Sequence, residues 1–139
     1  MQLTRHTDYA LRLLIHLSQA EGHRASIAEI AAAQDISRTH LMKIANALVH
    51  AGFLTAMRGR GGGIALARPA EEINLGAVIR ATDPYCALID CTGCRLTPLC
   101  ALPKALAEAA RAFHASLARY SLADMVKPQR PTAATPPTK

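Results

Sequence analysis

The four cysteines of this 139-residue chain all lie in one stretch, Cys86-Ala-Leu-Ile-Asp-Cys91-Thr-Gly-Cys94-Arg-Leu-Thr-Pro-Leu-Cys100. Cysteines that only fill a core would be scattered along the chain, so this grouping indicates a chemical role. Closely spaced thiolates hold an iron–sulfur cluster or a zinc ion, or they form a disulfide. Gly93 and Pro98 favour turns that would direct the sulfurs toward a bound group.

The expected compartment and the cysteine spacing help to decide between a cluster, a zinc ion and a disulfide. Residues 1–6 do not resemble a signal peptide and no apolar run reaches the length of a membrane span, so we expect a cytoplasmic protein with reduced thiols. A metal or redox site is then favoured over structural disulfides. Cys91 and Cys94 have a common metal-ligand spacing, but the second pair of a zinc ribbon is absent. Two alternatives to an iron–sulfur cluster remain, zinc bound by all four cysteines and a thiol switch without metal.

The elements before the cysteines have the pattern of a helix-turn-helix. Apolar spacing predicts a helix over 7–20, ended by Gly22. Ser26-Ile-Ala-Glu29 is a capping box that opens a short second helix. After a tight turn, Ser37 caps a longer third helix that Gly52 ends. The buried face of the third helix is predicted to comprise Leu41, Met42, Ile44, Ala45, Leu48 and Val49.

Two predicted strands, at 53–58 and 64–67, follow the third helix directly, and such a ribbon after a helix-turn-helix is a wing. Its tip, Gly59-Arg-Gly-Gly-Gly63, lacks the spacing of a Walker phosphate loop. A glycine-rich tip flanked by arginines suits close approach to a nucleic-acid backbone. The glycines alone also fit an ordinary flexible hairpin.

Helices are predicted on both sides of the cysteines. Asn74 caps a fourth helix that runs to about Ala81. Pro103 is tolerable only in a first turn, so the long helix after the cysteines either starts near Leu102 or starts at residues 97–98 and kinks. An apolar stripe along it suits packing against a second copy of the chain. The stripe comprises Leu102, Leu106, Ala109, Phe113, Leu117 and Tyr120.

The charge distribution points to double-stranded DNA as the partner. The chain has a net charge of +6, and residues 36–70 hold five lysines and arginines and no acidic residue. Such one-signed charge over a recognition helix and wing is the electrostatic footprint of a DNA-binding protein. A winged helix that contacts protein is the alternative. The residues predicted to contact DNA are Ser37, Arg38, Thr39, His40, Lys43, Arg58 and Arg60.

The predicted fold class is mainly α with a small β-hairpin, a winged helix-turn-helix domain with a long C-terminal dimerisation helix. We assign the DNA-binding domain to residues 1–83 and the cysteine loop to residues 84–101. The dimerisation helix and a short cap helix occupy residues 102–126. The proline-rich residues 127–139 are predicted to be a disordered tail.

Five segments in combination resemble one family of regulators. They are Met1-Gln-Leu-Thr, Thr7-Asp-Tyr-Ala-Leu-Arg12, Ser37-Arg-Thr-His-Leu-Met-Lys43, Arg58-Gly-Arg-Gly-Gly-Gly63 and Tyr120-Ser-Leu-Ala-Asp124. The family is the dimeric winged-helix repressors with an iron–sulfur cluster, which include the cluster-assembly regulator IscR. The likeness covers about residues 1–126 and is greatest to the nitric-oxide-sensing NsrR branch. It implies a homodimer with one cluster per subunit, 4Fe–4S in preference to 2Fe–2S.

The same resemblance implies a ligand set for the cluster. Three cysteines and an aspartate from the first helix of the other subunit correspond here to Cys91, Cys94, Cys100 and Asp8. The family usually has a longer gap between its first two cysteines. Related iron-responsive members have the spacing of Cys86, Cys94 and Cys100, so Cys86 is the alternative first ligand. Without the resemblance, Asp8 has an ordinary role as a partner for the dipole of the first helix.

Together these features predict a transcriptional repressor that responds to nitric oxide, or to iron or redox status, through its cluster. One alternative keeps the DNA binding and replaces the cluster with structural zinc or a thiol redox switch. Another is an enzyme or electron carrier that uses the cluster. The sequence shows no nucleophile–base pair and no phosphate-binding loop, so we predict that the protein is not an enzyme.

Overall fold

The computed structural model describes residues 3–59, 61–83, 88–96 and 99–126. Helix α1 (Arg5–Gln19) lies at the centre, and its buried residues include Leu13, Leu14 and Leu17. It begins two residues earlier than predicted because Thr4 is its N-cap, whose hydroxyl accepts the N–H of Thr7 at 3.3 Å. Gly22 does not end the helix directly; it adopts φ 63° in the short 3-10 turn that follows.

Helices α2 (Ile27–Gln34) and α3 (Arg38–His50) form the predicted helix-turn-helix. The capping box of α2 is confirmed: the N–H of Ser26 donates to Glu29 Oε2 at 2.7 Å, and the N–H of Glu29 donates to Ser26 Oγ at 3.2 Å. Asp35 reverses the chain between the two helices in the left-handed conformation, with φ 52° and ψ 47°. The turn is short enough to fix α3 against α2.

Gly52 follows the C-cap Ala51 in the C′ position, as predicted, and adopts φ 80°. The N–H of Gly52 bonds to Val49 O at 3.0 Å and the N–H of Phe53 bonds to Leu48 O at 2.9 Å, the two bonds of a Schellman motif. The expected burial of Met42 is wrong, because this side chain is 48% exposed. The residues that are buried are spaced three and four apart, and position 42 lies off that stripe. They are Leu41, Ile44, Ala45 and Leu48.

The wing is part of a three-stranded antiparallel sheet in the order β1-β3-β2. Strands β2 (Leu54–Met57) and β3 (Gly63–Leu66) form the predicted hairpin. Strand β1 (Arg24–Ala25) pairs with the outer side of β3 and was not predicted, because two residues are too few to show an alternating pattern. A Cβ at Gly63 would lie 2.5 Å from Ala25 O, so the close approach of β1 requires glycine there.

Helices α4 (Leu75–Thr82) and α5 (Leu102–Leu117) flank the cysteine loop. Asn74 caps α4 as predicted, with its Oδ1 accepting the N–H of Ala77 at 3.1 Å. Helix α5 begins at Leu102 and places Pro103 in its first turn, which confirms the first of the two predicted arrangements.

The chain after α5 returns to the start of α4. Asn74 Nδ2 donates to Ala118 O at 2.6 Å, and the N–H of Leu122 donates to Ile73 O at 2.8 Å. Leu122 is fully buried and joins the same core as α1. Among the residues that the structure describes, no helix is both long and apolar enough to cross a bilayer. The tail predicted at 127–139 lies outside the described residues.

Candidate functional site

The N-terminal half of α3 presents a polar surface to solvent. The residues predicted there to contact DNA, Ser37, Arg38, Thr39, His40 and Lys43, are all exposed. This follows from the amphipathic pattern of α3, whose buried stripe turns the opposite face outward. Ser37 occupies the N-cap position, but its hydroxyl makes no capping bond to the described part of α3. Exposed hydroxyl, guanidinium and ammonium groups at a helix start can reach base edges and phosphates.

The exposed face of α3 extends beyond the residues predicted to contact DNA. Asn46 and His50 are also exposed and extend the row that contains Thr39 and Lys43. A spacing of three and four residues places these side chains on one side of the helix. That periodicity is visible in the sequence, so both residues could have been included. An asparagine can bond to adenine in the major groove.

The wing carries a second exposed basic group. Arg58 is exposed at the end of β2, next to Gly59 and Gly61, which have φ of 99° and 77°. A Cβ added at either glycine would have no atom of the described residues within 4 Å. The predicted contact residue Arg60 lies outside the described residues. Arg68 instead has a structural role, since its Nη2 donates to Gly52 O at 3.0 Å and ties the base of the wing to the end of α3.

The cysteine loop has local order around its Cys-x2-Cys pair. The N–H of Cys94 donates to Cys91 O at 3.1 Å, and Gly93 has φ 73°, so the two cysteines bracket a tight turn. Just before it, Asp90 Oδ1 accepts the N–H of Thr92 at 2.9 Å. That backbone hydrogen bond lowers the pKa of Asp90 and keeps its carboxylate charged.

The thiols of the described loop are accessible to a bound group. Cys91 and Cys100 are half-buried, Cys94 is exposed, and none of these three forms a disulfide. Cys86, the alternative ligand, lies outside the described residues. The loop and α5 together line a groove of about 380 Å³, to which the loop contributes Ile89 and Cys91 and the helix contributes Leu106. The loop therefore lies against the N-terminal half of α5.

Asp8 lies in the first turn of α1, where its charge suits the helix dipole. Its Oδ1 bonds to Arg12 Nε at 3.0 Å, and its side chain is 41% exposed. Within the described part of a single chain, no three histidine, cysteine or acidic side chains converge on one point. The described chain therefore does not bring Cys91, Cys94 and Cys100 together at one point, and the accessible carboxylate of Asp8 lies on a different element, α1. By donor type this set suits iron, with thiolate preferred and oxygen the weaker partner.

One contact that the sequence did not reveal joins α1 to α3. The rings of Tyr9 and His40 meet edge to face with their centroids 5.4 Å apart. The Arg12 guanidinium lies 6.0 Å from the centroid of the Tyr9 ring. The helix that carries Asp8 therefore touches the end of α3 that is expected to meet DNA.

Comparisons with known proteins agree with this architecture. The sequence profile of the Rrf2 family, described as iron-dependent transcriptional regulators, matches residues 3–128. CymR of B. subtilis, the global cysteine regulator of that organism, superposes with a TM-score of 0.74 at 20% identity, over 94% of this chain and 99% of its own.

Two further solved structures have the same fold. IscR of T. potens gives a TM-score of 0.73 at 24% identity, over 91% of this chain and 87% of its own. CymR of Staphylococcus aureus gives a TM-score of 0.71 at 25% identity, over 91% of this chain and 99% of its own. The likeness extends over nearly the whole length of both partners in each comparison.

Proposed function

Since the chain belongs to the Rrf2 family of iron-dependent transcriptional regulators, we propose that this DNA-binding regulator is a homodimeric repressor that senses nitric oxide through an iron–sulfur cluster. The observation that carries the DNA-binding part is the exposed N-terminal face of α3, which presents Arg38, Thr39 and Lys43 to solvent. Arg58 of the wing is exposed as well. Such a regulator acts in the cytoplasm and is not an enzyme. Each subunit of the dimer reads one half of an operator in double-stranded DNA.

The sensing part rests on the thiol loop. Cys91, Cys94 and Cys100 would hold the cluster, 4Fe–4S in preference to 2Fe–2S, and Asp8 of the partner subunit would complete it; Cys86 is the alternative to Cys91. A bound cluster supplies iron atoms that react with nitric oxide. The likeness to the NsrR branch favours nitric oxide over iron level or redox status as the signal.

The coupling between sensing and DNA binding follows from where these residues lie. A loop that bears against α5 and also grips α1 of the other subunit would restrain both recognition helices of the dimer. When the carboxylate of Asp8 is withdrawn, that restraint is lost and the spacing of the two α3 helices no longer fits two half-sites. The repressed genes would then be expressed.

The DNA-binding part is tested by Arg38→Ala. We expect weaker binding to an operator that the wild-type protein selects from a random-sequence library, with relaxed sequence preference, because a bidentate contact to guanine is worth about 1–3 kcal/mol. Arg80→Ala, which removes the same charge from the exposed side of α4, is the matched control and should bind as the wild type does. Equal affinities for the two variants would contradict the assignment of α3.

The cluster is tested by counting iron and sulfide in protein purified without oxygen. We expect a coloured protein whose iron is lost in Cys91→Ala, Cys94→Ala and Cys100→Ala but kept in Cys86→Ala. If iron is lost from Cys86→Ala and kept in Cys91→Ala, then Cys86 and not Cys91 is the first ligand. A colourless protein with bound zinc would contradict the cluster and support structural zinc. A protein with no metal and a reversible disulfide would support the thiol redox switch.

A further inference from the structure

Met42 is an apolar side chain on the polar, solvent-facing surface of α3. It is 48% exposed, and in the described residues before the cysteine loop it is the one large hydrophobic side chain that is exposed. Helical spacing places it one turn after Arg38 and Thr39 and one turn before Asn46, all of which are exposed. Packing within the described chain therefore does not account for an apolar group at this position.

From this position we infer that Met42 selects thymine, through contact between its thioether end and the 5-methyl group of the base in the major groove. The inference rests on the proposed DNA binding and names a base that α3 recognises. Thymine is the base whose major-groove edge carries a methyl group. A flexible, unbranched methionine can adapt its shape to such a group. Contact between the two removes apolar surface of both from water.

The exposed neighbours of Met42 supply a different kind of recognition. Arg38 and Asn46 have hydrogen-bonding groups, which suit guanine and adenine respectively. Hydrogen bonds do not distinguish thymine from uracil in the major groove, because both bases present the same O4 acceptor there. An apolar contact does distinguish them, because uracil lacks the methyl group. Thr39 also carries a methyl group that could make this contact, so the test includes a variant at that position.

The geometry of α3 also indicates where the thymine should lie. Four residues of an α-helix rise about 6 Å, and successive base pairs are about 3.4 Å apart. With the recognition helix in the major groove, Met42 should therefore lie about two base pairs from the base that Arg38 contacts. We expect each half-site to contain a thymine about two base pairs from a guanine.

The test compares duplexes selected from a random-sequence library by the full-length protein and by its Met42→Ala variant. Alanine is a strong helix former, and the position is exposed, so the variant should fold. We expect a position in each half-site at which the wild type selects thymine and the variant accepts other bases. Replacing that thymine by deoxyuridine removes only the methyl group. Wild-type binding should then weaken by about fourfold for each methyl group removed.

A double-mutant cycle between protein and DNA assigns the methyl contact to one side chain. Deoxyuridine should not change binding by Met42→Ala. Thr39→Ser, which removes the neighbouring methyl group and keeps the hydroxyl, should remain sensitive to deoxyuridine. If Met42→Ala keeps the thymine preference at every position, or if deoxyuridine weakens wild type and Met42→Ala equally, the inference is overturned while the DNA-binding proposal stands. If the wild-type protein selects no duplex, the proposed function and this inference both fall.

Discussion

Glu29 shows how one side chain can make the stability of this fold depend on pH. Its carboxylate accepts the N–H of Ser26 at 2.7 Å and so closes the start of α2. The backbone bond from Ser26, and then the bond from the Ser26 side chain, lower the pKa of Glu29 below its usual 4.5. A group whose pKa is lower in the folded state stabilises the fold above its unfolded-state pKa, and this contribution is lost as the pH falls through the folded-state value.

Glu29→Gln should therefore flatten the pH profile of stability on the acid side. We expect the variant to be less stable than the wild type at neutral pH, and the difference to shrink as the pH falls below about 4.5. Urea unfolding over a series of pH values measures this. Glu108→Gln, an exposed glutamate on α5, should run parallel to the wild type. A constant difference between Glu29→Gln and the wild type at all pH values would show that the carboxylate charge is not responsible.

Contacts of single residues could be predicted from the sequence only where both partners are close in the chain. The caps at Ser26, Gly52 and Asn74 were predicted because each depends on residues within a few positions of one another. The contact between Tyr9 and His40 depends on how α1 and α3 pack, and no local pattern encodes it.

At the scale of elements, the close packing of α4 on the end of α5 depends on one glycine. A Cβ at Gly76 would lie 3.0 Å from both the Cα and the N of Ala118. These are backbone atoms at the end of α5, where Asn74 also bonds to Ala118 O. The approach of the two elements is therefore set by the absence of a side chain at position 76.

Gly76→Ala should destabilise the protein by about 1 kcal/mol, although alanine is the better helix former. The strain of overpacking, typically about 1–3 kcal/mol, should exceed the gain in helix propensity. Chemical unfolding gives the net value. Ala81→Gly, on the exposed side of the same helix, measures the propensity term alone. A stabilised Gly76→Ala variant would mean that the end of α5 can move away freely.

Elements were predicted well where their signals are local and long enough. The restriction on Pro103 limited the start of α5 to two places, of which the structure has Leu102, and the hairpin was predicted from its glycine-rich tip. Strand β1 was missed because its pairing with β3 is decided by packing between distant segments. Met42 was placed in the core because it is apolar, although the helical period turns it to solvent.

At the scale of the whole molecule, the apolar side of α5 is only partly covered within the described chain. None of its residues is buried, and Leu102 is 48% exposed. The apolar stripe predicted along this helix thus needs a surface to cover it, and the proposed homodimer provides a second copy of the same stripe. The proposed ligand set, shared between subunits, would also require α1 of one subunit to lie near the cysteine loop of the other.

Leu106→Glu should therefore turn a dimer into a monomer, because it places a charge within that stripe. Sedimentation equilibrium measures the mass, and circular dichroism checks that the helices remain. Lys104→Glu, on the exposed side of α5, makes a larger change in charge and should remain dimeric. If Leu106→Glu stays dimeric, the subunits meet through another surface.

The attachment of the wing has a practical consequence for engineering. Its base is fixed on both sides, by the pairing of β1 with β3 and by the bond from Arg68 to Gly52. Its end, at Gly59 and Gly61, has open space around it. Short peptide tags or fluorophore sites should therefore be accepted between these glycines without unfolding the protein, whereas an insertion beside Gly63 would disrupt the sheet.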